Sequence, residues 1–215
     1  DGYLANGSEP WKIPNVADLA KIPVKFRTEK EGFHPFLRDE KTLARVWAVP
    51  GTPDLMHRIG GIEKDFDSGN ISYAPGNHEK MTKVRAQKVA NVALDVPPAK
   101  LELGNEAGGE LIVVGWGSTL GAITSAVQEC RDEGIDVSYL HPRYMNPFQS
   151  NVGDLLKRFK KVLVPEMNNG HLVKILRSTY LVDAIGFSKV QGKPFKISEV
   201  ANRIRETVGR KPKQD

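Results

Sequence analysis

The hydrophobic pattern is most regular between residues 111 and 141, LIVVGWGSTLGAITSAVQECRDEGIDVSYLH. Leu111 to Val114 is an unbroken apolar run of strand length, closed by Gly115 and Gly117. From Leu120 the period lengthens: Leu120, Ile123, Val127 and Cys130 recur three or four apart and share one face of a helix. Ser118 stands at the N-cap position, and Gly134 falls where a left-handed residue ends a helix. Val137 to His141 reads as a second strand. Strand, tight turn, helix and strand predict a right-handed βαβ unit.

The alternation continues downstream. A helix is expected over 151–160, capped by Asn151, with Val152, Leu155, Leu156 and Phe159 inward. Arg158, Lys160 and Lys161 then fall at its C-terminal end, where the helix dipole favours cations. Val162 to Val164 is a third strand, and Leu172, Val173, Ile175, Leu176 and Tyr180 mark a helix over 171–181. Ala184 to Val190 is a fourth strand, and Ser198 caps a last helix carrying Val200, Ile204 and Val208. Glu102 to Glu110 reads as a surface connector. Residues 105–209 thus predict an α/β domain, an open and mostly parallel sheet covered by helices.

The upstream pattern is poorer. Residues 1–40 lack periodicity and are punctuated by prolines at 10, 14, 23 and 35, which predicts an extended N-terminal arm with Trp11, Ile13, Val16 and Leu19 free to lie on another domain. Residues 41–104 lead into the main domain. Within them Thr42 to Val49 has strand character, and residues 54–77 form a loop long enough to suggest binding or docking. Asn77 is expected to cap a helix whose stripe includes Met81, Val84, Val89 and Val92, stopped by Pro97-Pro98. Residues 210–215 are a polar tail. The chain starts at Asp1 without a methionine, which we read as a boundary inside a larger polypeptide.

Composition removes several function classes. With 31 basic and 26 acidic residues the net charge of +5 is mild and dispersed, which argues against a nucleic-acid partner. Cys130 is the one cysteine, so an internal disulfide and an iron–sulfur cluster are both excluded, and a buried small hydrophobe is the reading. No apolar stretch has membrane-spanning length, and a cytoplasmic location is expected. The Gly115 to Gly121 turn has G-x-G-x-x-x-G spacing, lacks an acidic residue after the second strand and lacks a P-loop lysine. A steric role in the turn is therefore preferred over a dinucleotide site. A nucleotide-binding oxidoreductase using this turn, and a partner-binding module without enzymatic role, remain the alternatives.

Candidate contact residues follow from position. His57 and Arg58 beside Gly60-Gly61, and His78 further on, could meet an anion, whereas a metal reading of the two histidines lacks a third ligand. Asp65, Asp67 and Asn70 imitate a calcium loop, but no glutamate closes it. The loop after the second strand, with His141, Tyr144, Met145, Asn146, Pro147 and Phe148, is expected to face a partner or another domain rather than pack on its own. Glu166 and Asn168 stand at the next strand end, where Glu166 reads as a capping or interface carboxylate.

Five stretches taken together carry a family resemblance: DGYLANGSEPWKIP at 1–14, WAVPGTPDLMHRIGGIEKDFDSGNISYAPGNHEKMTKVRAQKV at 47–89, LIVVGWGSTLGAI at 111–123, YLHPRYMNPFQSNVGDLLKRFKKVLVPEMNNGHL at 139–172 and YLVDAIGFSKVQGKPF at 180–195. They resemble the C-terminal part of the alpha subunit of 2-oxoacid:ferredoxin oxidoreductases, in the 2-oxoglutarate branch. The resemblance implies a domain of transketolase C-terminal type, with residues 1–40 as the exit of a pyrimidine-binding domain and linker. It implies a holoenzyme that converts a 2-oxoacid and coenzyme A to acyl-CoA and carbon dioxide, using thiamine diphosphate, Mg2+ and a [4Fe–4S] cluster and reducing ferredoxin. The partners it implies are the upstream domains of the same subunit, a beta subunit and a homodimer contact. In this segment it implies no catalytic residue, cofactor site or metal site. His57, Arg58, His141, Asn146, Phe148, Glu166 and Asn168 are its interface or anion-contact positions.

Overall fold

The computed structural model describes residues 14–21 and 24–213. Trp11, Ile13 and the rest of the first thirteen residues of the expected arm lie outside the described residues. The chain divides into two compact units, whose described residues run to Asp95 and from Val96.

In the upstream unit β1 (Phe26–Arg27) pairs in parallel with β2 (Trp47–Ala48). The strand expected from Thr42 is thereby cut to two residues. Asp39 Oδ1 accepts from the backbone N–H of Thr42 at 2.7 Å and of Lys41 at 3.1 Å, and Leu43 takes a left-handed φ of 56°. A turn therefore occupies what alternation reads as strand. The loop 54–77 is organised by a Lys64–Ile71 antiparallel bridge. Asp65 Oδ1 accepts from the N–H and hydroxyl of Ser68 and from Asp67 N–H, so the calcium look-alike is an Asx turn. Helix α1 (Pro75–Asn91) opens on a proline two residues ahead of Asn77. Asn77 is not its cap. Its side chain accepts from Phe66 N–H at 3.0 Å and donates to Lys64 O at 2.8 Å, pinning the loop to the helix. Of the expected stripe, only Met81 is buried.

The second unit holds β3 (Leu101–Leu103), β4 (Gly109–Val114), α2 (Leu120–Asp132), β5 (Val137–Leu140), α3 (Val152–Leu156), β6 (Phe159–Glu166), α4 (His171–Tyr180), β7 (Ala184–Ser188) and α5 (Ile197–Thr207). The strand order is β3-β5-β4-β6-β7, parallel throughout except for β3. The fold class is the predicted one. Its local departures have physical causes. The Glu102–Glu110 connector contains most of β3, a strand too short to show alternation, and the start of β4. The helix expected over 151–160 stops at Leu156, because Phe159 to Lys161 pair along β4 instead. Lys160 and Lys161 then meet Glu110, at 2.9 and 3.9 Å, rather than a helix dipole. Asn151 bonds both backbone groups of Ala99 instead of capping α3. Ser118 and Ser198 do not cap either: Thr119 Oγ1 accepts from Trp116 N–H before α2, and Glu199 accepts from Lys196 N–H before α5.

The sheet is buried on both faces. Leu111, Val113, Tyr139 and Leu163 pack against Ile123, Val127, Cys130 and Ile204 of α2 and α5. Ile112, Val114, Val162 and Val164 pack against Leu155, Leu172 and Leu176 of α3 and α4. Each such side chain taken from water contributes about 1.5–3 kcal/mol.

Arg205, 3% exposed, bolts α5 to α2 by bonding both oxygens of Glu133, at 2.6 and 3.0 Å, and Glu129 at 2.6 Å. Hydrogen bonds from Arg205 and then Lys213 hold Glu133 well below the usual carboxylate range, at about 2. A carboxylate depressed by folding stabilises the native state above its ordinary pKa, and that contribution disappears as pH falls through the folded value. Denaturant unfolding from pH 7 to pH 2 is the test. The wild type should lose stability between the ordinary value of 4.5 and about 2, and Glu133→Gln should be weaker at pH 7 and flatter across that window.

Candidate functional site at the carboxyl edge of the sheet

The strand order places a topological switch between β4 and β6. The chain leaves β4 through α2 toward β5 on one side, and returns through α3 to β6 on the other. The loops that follow the two neighbouring strands diverge, and a crevice opens at their carboxyl ends, where open α/β sheets hold their ligands. Here it measures about 410 Å³ and is lined by Trp116, Gly117, Ser118, Thr119, Met167, Asn168 and His171.

The loop after β4 owes its shape to two glycines with different duties. A Cβ on Gly115 would lie 2.3 Å from Ile123 Cδ1 and 2.9 Å from Thr119 Oγ1, so only glycine lets α2 pack this close. Gly117 takes φ +59°, the left-handed turn. Gly121 has open space around it. This is the steric role expected from the spacing.

Glu166 organises the opposite wall. It is 1% exposed, and its carboxylate accepts four hydrogen bonds. Oε1 takes Leu172 N–H at 2.7 Å, Asn168 Nδ2 at 3.2 Å and the Trp116 indole N–H at 3.3 Å. Oε2 takes Val173 N–H at 3.0 Å. Asn168 Oδ1 accepts from Gly170 and His171 N–H, at 2.8 and 2.9 Å. Two side chains thus satisfy four consecutive amides at the start of α4, and a negative charge already sits at the positive end of its dipole. The Trp116 bond fastens the β4 loop to the β6 loop across the crevice. Glu166 is therefore spent on positioning, which is the capping role its place in the sequence suggests.

No residue of the loop after β5 is on the crevice lining. His141 is buried, with Nδ1 at 2.6 Å from Tyr139 Oη. Burial, then Arg143, pushes the imidazole pKa down, while burial pushes the phenol up. Both groups are neutral at pH 7 and share one hydrogen bond. Asn146 is exposed, in a cis peptide bond to Pro147. Phe148 is half-buried on Tyr180, with ring centroids 5.8 Å apart, and belongs to the α3/α4 core layer. Of the loop's large apolar side chains, Tyr144 is the exposed one, at 45%.

His57 and Arg58 lie in the upstream unit, on a cavity of about 490 Å³ that also includes Asp54, Ser68 and Asn70. His57 Nδ1 is 2.8 Å from Leu55 O, and its ring meets Phe33 edge-on; Arg58 is exposed. His78 is elsewhere, 2.6 Å from Glu63 Oε2. Sequence reasoning passed over Trp116 and His171 as crevice residues; a tryptophan between two turn glycines was the available signal. Among the described residues no three His, Cys, Asp or Glu side chains group to hold a metal ion, and no helix is long and apolar enough to cross a membrane. Glu166→Ala should cost about 2–4 kcal/mol by orphaning buried amides, and Asn168→Ala about 0.5–2 kcal/mol as a lost cap. Chemical denaturation of the two variants measures both.

Comparison with known proteins adds the following. Residues 109–200 match the family model described as pyruvate:ferredoxin oxidoreductase core domain II. The chain is 46% identical over 206 residues to the 2-oxoglutarate oxidoreductase subunit KorA of Mycobacterium tuberculosis, covering 95% of this chain and 31% of that protein. It is 31% identical over 137 residues to the 2-oxoglutarate synthase subunit KorA of Methanocaldococcus jannaschii, covering 60% and 36%. Among solved structures it superposes, with a TM-score of 0.82 and 28% identity, on a 2-oxoglutarate:ferredoxin oxidoreductase from Magnetococcus marinus with 2-oxoglutarate, coenzyme A and succinyl-CoA bound, covering 91% of this chain and 34% of that one. The chain spans about a third of the length of these relatives.

Proposed function

We propose that this chain, which resembles the C-terminal part of the alpha subunit of 2-oxoacid:ferredoxin oxidoreductases and has such subunits as homologues, is the assembly segment of a 2-oxoglutarate-type enzyme. In this reading it positions neighbouring domains and performs no bond-breaking step itself. The observation that carries it is the 46% identity sustained over 95% of the chain. The holoenzyme would oxidise 2-oxoglutarate with coenzyme A to an acyl-CoA and carbon dioxide in the cytoplasm, passing electrons to ferredoxin.

The residues present do not fit the redox cofactor of such an enzyme. A [4Fe–4S] cluster takes four thiolates, while this chain has the single Cys130, buried between α2 and α5 with its thiol against Ala201 O. Burial raises that thiol to about 11, so it stays protonated and unavailable as a ligand. Cluster, thiamine diphosphate and Mg2+ are assigned to other parts of the assembly, in keeping with the division between cofactor chemistry and protein positioning.

The two units divide the remaining work. The sheet unit is self-sufficient in buried apolar surface. The upstream unit is not: Phe36, Leu55 and Met81 are its buried hydrophobics among the described residues, whereas Trp47, Met56 and Tyr73 are 61%, 92% and 84% exposed. Exposed apolar surface of this extent in so small a unit supports contact with further polypeptide. The upstream domains of the same subunit, the beta subunit and a second copy of the alpha subunit are the partners we assign to it.

A reconstitution tests the assignment. The complete alpha subunit, beta subunit, thiamine diphosphate, Mg2+ and coenzyme A should reduce ferredoxin with 2-oxoglutarate faster than with pyruvate. Deleting residues corresponding to this chain should abolish both the alpha–beta complex and turnover. Equal activity without them would remove the assembly role. Trp47→Ser in the complete subunit should weaken complex formation about tenfold or more, as loss of an interface anchor does, while leaving the melting temperature of the isolated subunit nearly unchanged.

A further inference from the structure

The upstream unit gathers Arg38, Arg45, Lys64, Arg85 and Lys88 on one cavity of about 430 Å³. Its other walls are largely apolar, with Phe36, Ile59, Ile62 and Met81 among them. Among the described residues Glu63 is the one carboxylate on the lining, and it is already engaged, by Arg85 at 3.0 Å and His78 at 2.6 Å. Arg38, Arg45, Lys64 and Lys88 form no salt bridge with any carboxylate among the described residues.

What these cations do contact is neutral. Lys64 is only 4% exposed, and among the described residues its ammonium, with three donors, gives one hydrogen bond, to Ile62 O at 2.7 Å. Arg38 donates to the carbonyls of Phe36 and Phe66 and to the Met81 thioether. Arg45 donates to Pro35 O and lies over the Phe36 ring at 4.5 Å. Burial, together with the nearby Arg45 and Arg85 charges, pushes the Arg38 guanidinium down from its ordinary value. Ring faces and carbonyls orient such groups but do not neutralise them. Like charges crowded around a cavity with a buried ammonium in its wall are destabilising unless an anion joins them.

We propose that this cavity is a binding site for the phosphate group of a small organic ligand. Several unneutralised cations favour a dianion over a single carboxylate, and guanidinium forks match the oxygen geometry of phosphate. The volume lies within the range of small-ligand pockets and exceeds the needs of a bare anion, and the apolar walls suit the organic remainder of a phosphate ester. The argument rests on the upstream unit alone and does not depend on the assembly reading.

Calorimetric titration of the whole chain at constant ionic strength, with inorganic phosphate, phenyl phosphate and succinate in turn, tests this. Phenyl phosphate should bind saturably, and about tenfold tighter than inorganic phosphate because it also covers the apolar wall; succinate should bind most weakly. Lys64→Met and Arg45→Gln should each weaken phenyl phosphate about tenfold or more, the loss of one charge-assisted contact. Should Lys64→Met not fold, the more exposed Arg45→Gln and Lys88→Gln carry the test. Equal affinity for both phosphates would keep the anion site and assign it to free phosphate. Absence of saturable phosphate binding, undiminished affinity in Arg45→Gln, or tighter binding of succinate, which would mark a carboxylate-bearing partner, would overturn the proposal.

Discussion

Leu111, Ile112, Val113 and Val114 alternate between two faces of β4, and all four are completely buried. A strand of this kind cannot rest on one layer of helices, because either face left open would expose two large apolar side chains to water. Helices α2 and α5 must therefore cover one side and α3 and α4 the other. Parallel strands reach this arrangement only through crossovers that leave β4 in both directions. The switch between β4 and β6, and the crevice above it, are thus consequences of burying that row.

Opening a crevice exposes backbone ends that must be satisfied, and the molecule meets this with Glu166 and Asn168. A carboxylate 1% exposed would be costly alone. Four donors around it turn that cost into a fixed point to which the α4 terminus and Trp116 are both tied. The crevice is therefore preorganised, and its deepest charge is already committed. That arrangement suits a positioning element better than an acid–base site.

The upstream unit follows the opposite economy. It buries little apolar surface and keeps its shape through hydrogen bonds at turns: Asp39 at one, Asp65 at another, and Asn77 bridging loop and helix. Its exposed Trp47 and Tyr73 and its crowd of unneutralised cations are two separate kinds of unmet demand, one for apolar contact and one for negative charge. Turn-rich surface scaffolds of this kind are where recognition is usually carried.

For this protein the local pattern was enough to determine the order of strands and helices from residue 109 to 207, the inward placement of Cys130 and the left-handed stop at Gly134, because each depends on a residue's spacing to near neighbours. The family resemblance was legible for the same reason, as ordered runs of residues. Tertiary structure alone decided where α3 ends and β6 begins, since Phe159 satisfies either pattern and only the edge of β4 chooses between them. It also decided that Asn77 and Asn151 serve distant backbone groups rather than their own helices, that Trp116 reaches Glu166, and that Lys64 lies among arginines drawn from both sides of it in the chain. A side chain with two or three donors takes whichever acceptor folding brings near. Periodicity records burial along one element; it carries no information about which charges and edges will meet.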